Sequence, residues 1–260
     1  MRVRMRGFSY VALTAVVLLL LFFSSCGNSH SADKNTYSTN KNSRSYEITD
    51  CQYLDIGEAD NQSITISYPQ IENLSDEKVQ ETINTQLREI AFRVLGSFDG
   101  FDDMDVNVNY TIRRASCCVL SVHFVWTSFH VLQAYPLILS YSANFSLNSG
   151  DRLKLLDIVT LDENTISDFM EIFTLQEGRY TEDTIDLVNR QIELSALSME
   201  NLLLADGDYY TAISSLITDN SLIISVEVIK ALGSYVLYEA QLSKLAEVVD
   251  VNFDLLCSCK

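Results

Sequence analysis

Residues 137–147 carry the pattern that most constrains the fold. Leu137, Leu139, Tyr141, Ala143, Phe145 and Leu147 take every second position, with Ser140, Ser142, Asn144 and Ser146 between them. Successive strand side chains point to opposite faces, so a period of two indicates a strand. Asn148-Ser149-Gly150-Asp151 follows as a turn that needs a residue at φ > 0. Ile64, Ile66 and Tyr68 repeat the alternation up to Pro69. Val106, Val108, Tyr110 and Ile112 alternate with Asn107, Asn109 and Thr111, the pattern of a half-buried strand. Further strands are predicted over 46–56, 118–129, 210–217, 221–229 and 235–240.

Helical spacing appears in three places. Ser75 is placed to cap a helix carrying Val79, Ile83, Leu87, Ile90, Ala91 and Val94, with Asp76 and Glu77 in the first turn and Gly96 at its end. Ile166, Phe169, Met170 and Phe173 mark a short helix. Ile185, Val188, Ile192, Ser195, Met199 and Leu203 mark a long one. The order of elements predicts an α+β fold. Its mainly antiparallel sheets pack with one helix in the first half and two in the second. Two lobes are expected, at 46–160 and 161–250, followed by a tail at 251–260. A chain that is 47% hydrophobic, with 13 Tyr and 12 Phe, can bury a core of that size.

The N-terminus stands outside this fold. Arg2, Arg4 and Arg6 precede an apolar run of 13 residues, Val11 to Phe23, interrupted only by Thr14. A membrane span needs roughly 20 residues, so 1–25 reads as a signal peptide. Phe23-Ser24-Ser25-Cys26 resembles the lipobox of bacterial lipoproteins. That resemblance implies a lipid on Cys26, which would hold the protein at the extracytoplasmic face of the cell membrane. Residues 26–45 are polar apart from Ala32 and Tyr37, and form a tether.

Residues 1–45 contain six of the 18 basic residues and one of the 35 acidic ones. The rest of the chain therefore carries 12 and 34, a net charge of −22. Such a surface excludes nucleic acid, whose phosphates need clustered Lys and Arg. It attracts cationic partners instead.

The titratable and sulfur-bearing residues form no catalytic pattern. His123 and His130 lie seven residues apart on one predicted strand, so they face opposite sides about 23 Å apart. The Asp-rich loop at 98–103 lacks EF-hand spacing. There is no phosphate-binding Gly loop, no Gly-x-Ser-x-Gly and no His-Glu-x-x-His. No catalytic residue, metal or cofactor is expected. With Cys26 lipidated, five cysteines remain. Cys257 and Cys259 can bridge back to Cys51 or Cys118. Cys117 and Cys118 begin a predicted strand, which would point their side chains to opposite faces.

Three groups of motifs carry a family resemblance. They are Ile66-Ser67-Tyr68-Pro69-Gln70-Ile71 with Ile83-Asn84; Ala134-Tyr135-Pro136 with Phe145 to Leu153 and Leu155-Leu156-Asp157-Ile158; and Asp219 to Ile224 with Ala231-Leu232-Gly233-Ser234-Tyr235. Over residues 46–245 the chain resembles the extracellular domain pair, of unknown function, of Gram-positive peptidoglycan deacetylases and lysozyme-responsive anti-sigma factors. The resemblance implies the extracellular module alone, on its own lipid anchor. It also implies a non-catalytic envelope protein that binds or senses a basic protein such as lysozyme, or peptidoglycan. Trp126, His130 and Tyr135 are the candidate binding residues. The competing expectations are an accessory protein supporting another surface protein, and a cell-wall hydrolase.

Overall fold

The computed structural model describes residues 46–56, 63–93, 95, 104–130, 134–162, 164–176, 213–228 and 233–257. Within them the chain is α+β with mostly antiparallel sheets. The first sheet runs β1 (Glu47–Ile56), β2 (Ser63–Glu72), β3 (Met104–Ala115), β4 (Val119–His130) and β5 (Leu137–Ser146), in that spatial order. Its one parallel pair is β2–β3, bridged by helix α1 (Glu77–Phe92), because a parallel pair needs a crossover. The later elements are α2 (Leu155–Ile158), β6 (Val159–Thr160), α3 (Ile166–Glu171), β7 (Thr174–Leu175), β8 (Ile213–Ile217), β9 (Ser221–Glu227), β10 (Tyr235–Gln241), α4 (Leu242–Leu245), β11 (Asp250–Val251) and α5 (Phe253–Cys257). A second sheet has the order β7-β10-β9-β8, and β6 pairs with β11. The features expected at Gly96, over 97–103, at 185–203 and at Tyr210 lie outside the described residues.

Helix α1 starts at Asp76 rather than Ser75. The Asp76 carboxylate accepts the Lys78 and Val79 backbone N–H groups at 2.9 and 3.2 Å. Val79, Ile83, Leu87, Ile90 and Ala91 form its buried stripe. They pack on Ile66, Val106, Val108, Val122, Phe124, Trp126 and Phe145, which share one face of the first sheet. Each fully buried large aliphatic side chain contributes roughly 1.5–3 kcal/mol. Asn84 fixes the helix to the sheet: its side chain accepts from Ile71 N–H and donates to Ile71 C=O. Pro69 does not end β2, which continues to Glu72. The β2–β3 ladder stops at Ile66–Val108, so the missing N–H of Pro69 falls beyond it. Gly150 sits at φ +80° in the turn after β5.

The second core gathers Phe169, Ile213, Ile217, Leu222, Ile224, Val226, Val236 and Leu245. It also takes Val119, Leu153, Leu155 and Ile158 from the expected first lobe, 46–160. Residues 251–257 are not a tail. Val251 pairs with Val159, and Leu256 is completely buried in the second core. Apolar side chains at Val251 and Leu256 can be buried only against another element, and the short β6 strand and α2 provide one.

Candidate functional site

From Ser142 onward both faces of β5 are buried. Its apolar face meets the α1 core, and its polar face lies under the second sheet. β5 and β8 bring Cα atoms within 8 Å of one another, closer than the roughly 10 Å of stacked sheets. Serine is small enough to allow this approach, and the layer contains Ser121, Ser140, Ser142, Ser215 and Ser225, all buried.

Two hydrogen-bond chains cross the layer. Asn144 Nδ2 donates to the Ser215 carbonyl at 2.9 Å, and its Oδ1 accepts the Ser121 hydroxyl at 2.6 Å. Ser121 Oγ in turn accepts Ile217 N–H at 3.1 Å. The second chain joins Arg113, His123, Ser140 and Ser225. Arg113 Nη2 lies 3.1 Å from His123 Nδ1, His123 Nε2 lies 2.8 Å from Ser140 Oγ, and Ser140 Oγ lies 2.8 Å from Ser225 Oγ. A guanidinium only donates. Nδ1 therefore accepts, Nε2 carries the proton, and Ser140 accepts from the ring. A serine nucleophile needs the opposite polarity, with the ring taking the hydroxyl proton. The chain of contacts passes from the first sheet to the second at Ser140–Ser225.

The register of β3 shifts between Ile112 and Arg114. Such a bulge turns consecutive side chains toward one side. Arg113 thereby reaches His123, while Arg114 donates to the Thr218 carbonyl at 3.0 Å and to the Leu256 carbonyl. Arg114 is buried and lies 3.9 Å from Asp219. It ties β3 to the β8–β9 turn and to α5. Nothing in the local sequence singles out these arginines. The serines at alternate positions of β5 were the one visible sign of the layer.

The expected site residues separate. Trp126 is 1% exposed, so its indole is not available as a stacking surface. Alternation places it with Val122 and Phe124 on the α1 side of β4. His130 is half-buried at the end of β4, paired with Met104. Tyr135 is 72% exposed just before β5. Of the two alternative disulfide partners, Cys118 is a buried thiol and Cys51 is disulfide-bonded, as is Cys117. Residues 117–118 form a bend, not a strand. Ser116 Oγ accepts the Cys118 and Val119 N–H groups. The bend puts the two Sγ atoms 3.3 Å apart instead of on opposite faces. The side chains of Cys257 and Cys259 lie outside the described residues, as does Cys26.

Among the described residues two surfaces remain open. A polar depression of about 400 Å³ lies along the β6–β11 pair and includes Asp157, Thr160, Asp250, Asn252 and Asp254. One of its carboxylates, Asp157, accepts Lys154 N–H at 2.8 Å. In the neighbouring depression the Thr165 and Asn164 N–H groups hold the Asp162 carboxyl below its usual range. Among the described residues no group of three His, Cys, Asp or Glu side chains is placed to hold a metal.

The other open surface is the β1–β2 hairpin with the adjoining outer face of the first sheet. The two strands contain Glu47, Asp50, Asp55 and Glu72 and no Lys or Arg. Glu47 stands directly opposite Glu72, and both are exposed. Like charges in that position repel. Leu54 and Ile56 are 59% and 70% exposed on the same hairpin. Asn107, Asn109, Thr127 and the 42%-exposed Phe129 continue this face across β3 and β4.

No protein-family model matches the chain, and no curated protein matches it. Among solved structures it is similar to a member of the DUF3298 family from Bacteroides fragilis. The two share 13% identity with a TM-score of 0.48, over 82% of this chain and 97% of that one. It is also similar to a DUF3298 family protein from Pseudomonas aeruginosa. Identity there is 10% and the TM-score 0.43, over 79% of this chain and 94% of that one. These structural neighbours are domains of unknown function.

Proposed function

We propose that this is a non-catalytic envelope lipoprotein, held by a lipid on Cys26 at the extracytoplasmic face of a bacterial membrane, whose folded domain binds a cationic partner such as a lysozyme-like basic protein. The observation that carries this reading is the uncompensated negative charge of the β1–β2 hairpin, within a domain of net charge −22. Like-charged pairs such as Glu47–Glu72 cost stability in the isolated protein and are relieved by a cation. The disulfides of Cys51 and Cys117 support export, because such bonds persist in oxidising compartments. The reversed polarity of the His123–Ser140 contact supports a non-catalytic role.

A second reading is recognition of cell-wall glycan on the outer face of the first sheet. Asn107, Asn109 and Thr127 there offer amides and a hydroxyl beside the ring of Phe129. A titration separates the two. The full chain in detergent micelles is titrated with a basic lysozyme and with solubilised peptidoglycan fragments, at low salt and at about 0.5 M salt, where the Debye length is about 4 Å. Saturable lysozyme binding that survives the added salt is the expected result. Saturation by glycan alone replaces the cationic partner with the wall. Silence toward both refutes a binding role for either ligand.

A further inference from the structure

The β1 strand is the outermost strand of the first sheet, and among the described residues it pairs only with β2. Its ladder to β2 is unbroken over ten pairs, from Glu47–Glu72 to Ile56–Ser63. Ten residues at about 3.3 Å each give an edge roughly 33 Å long. Among the described residues Glu47, Asp50, Gln52, Leu54, Asp55 and Ile56 are exposed, while Cys51 midway along the strand is buried and disulfide-bonded. Edges of this kind are normally blunted by a bulge, a proline or an inserted lysine. β1 has none of these. It has three carboxylates instead.

We infer that the outer edge of β1 is a strand-addition site for an extended, lysine- and arginine-rich segment of a partner protein. The inference rests on the cationic-partner reading and gives that partner a mode of attachment. Strand addition draws affinity from main-chain hydrogen bonds and selectivity from alternate side chains. The carboxylates decide what can add. A second copy of this chain would set its own Glu47, Asp50 and Asp55 against these acids, and like charges across a strand pair destabilise it. A cationic strand finds Glu47 and Asp55 on one face and Asp50 on the other. Leu54 and Ile56 offer apolar footing at the end of the edge.

The test uses the full chain in detergent micelles and a ten-residue peptide of alternating lysine and valine. A second peptide of the same sequence is N-methylated at alternate backbone nitrogens, which removes main-chain donors and leaves the charge. The unmodified peptide is expected to bind saturably and to slow amide exchange across residues 47–56. The methylated peptide is expected to bind at least about tenfold more weakly, the equivalent of a single lost interaction of about 1.4 kcal/mol. The double variant Glu47→Lys/Asp55→Lys changes only exposed side chains and should weaken the unmodified peptide by a similar factor. Equal binding of the two peptides, or protection that falls outside β1, overturns strand addition and leaves the cationic partner standing. So does binding of a folded lysozyme without binding of the peptide. Failure of both the peptide and lysozyme to bind overturns the two readings together.

Discussion

Asn144→Ala tests whether the buried serine layer holds the two sheets together. Asn144 is 1% exposed. Its amide donates to Ser215 O at 2.9 Å and to Ser215 Oγ at 3.3 Å, and it accepts the Ser121 hydroxyl at 2.6 Å. Alanine removes all three bonds and leaves the Ser215 carbonyl and the Ser121 hydroxyl short of a partner between two sheets. Each orphaned buried group costs about 1–3 kcal/mol. The expected loss is about 3 kcal/mol. For a chain of this size 1 kcal/mol moves Tm by about 2–4 °C, so Tm should fall by about 6–12 °C. Urea unfolding followed by circular dichroism measures the loss, with an unchanged m value showing that two-state behaviour survives. Asn107→Ala on the exposed part of the same sheet is the control. Asn107 accepts only from Asn109 in a solvated setting, so its removal should cost under about 0.5 kcal/mol. Combining Ser121→Ala with Asn144→Ala should give a coupling above about 0.5 kcal/mol, because the two share one bond. A cost for Asn144→Ala no larger than for Asn107→Ala, or additivity in the double variant, refutes this role for the layer.

Three further outcomes follow from the same contacts. Arg114→Ala should destabilise the fold by about 2–4 kcal/mol, since the buried Leu256 carbonyl and the half-buried Thr218 carbonyl lose a charged donor. It should also speed amide exchange in 253–257, and unchanged exchange there would show that Arg114 does not hold α5. Nitrogen-15 NMR of the His123 ring should find the proton on Nε2 and none on Nδ1; a protonated Nδ1 would break the proposed chain from Arg113. Burial, and then the Asp50 carboxylate beside it, push the Tyr110 phenol well above its usual value. Its contribution is therefore complete below about pH 10 and is lost as pH rises past that value toward the raised folded one. Stability above about pH 10 should fall more steeply in the native protein than in Tyr110→Phe; equal slopes would refute the assignment.

The elements that repeat a simple pattern were legible in advance. Strands β3, β4 and β5 and the buried stripe of α1 fall where alternation and helical spacing put them, with ends moved by one to three residues. The departures have particular causes. The Pro69 signal failed because the β2–β3 ladder ends before it. The helix start moved from Ser75 to Asp76 because the carboxylate reaches two N–H groups. The two-residue strands β6, β7 and β11 are too short to show a period at all. Trp126 is a candidate binding residue by type, and its place on β4 puts it on the α1 side. The adjacent cysteines were assigned to a strand, and a local Ser116 turn holds them in a bend instead.

Local pattern settled the long strands β3, β4 and β5 and the helix α1, because side-chain direction along an element follows from its own backbone period. It also settled the sign of the charge, which depends on composition alone. What lies against each face depends on contacts between distant residues. Asn144 meets Ser215 across 71 positions, and Arg114 meets Leu256 across 142. An alternating strand with one polar face looks the same in sequence whether that face meets water or a second sheet. Only packing assigned the serines of β5 to a buried seam and left the acids of β1 on an open edge, because burial is a property of neighbours that no local period records.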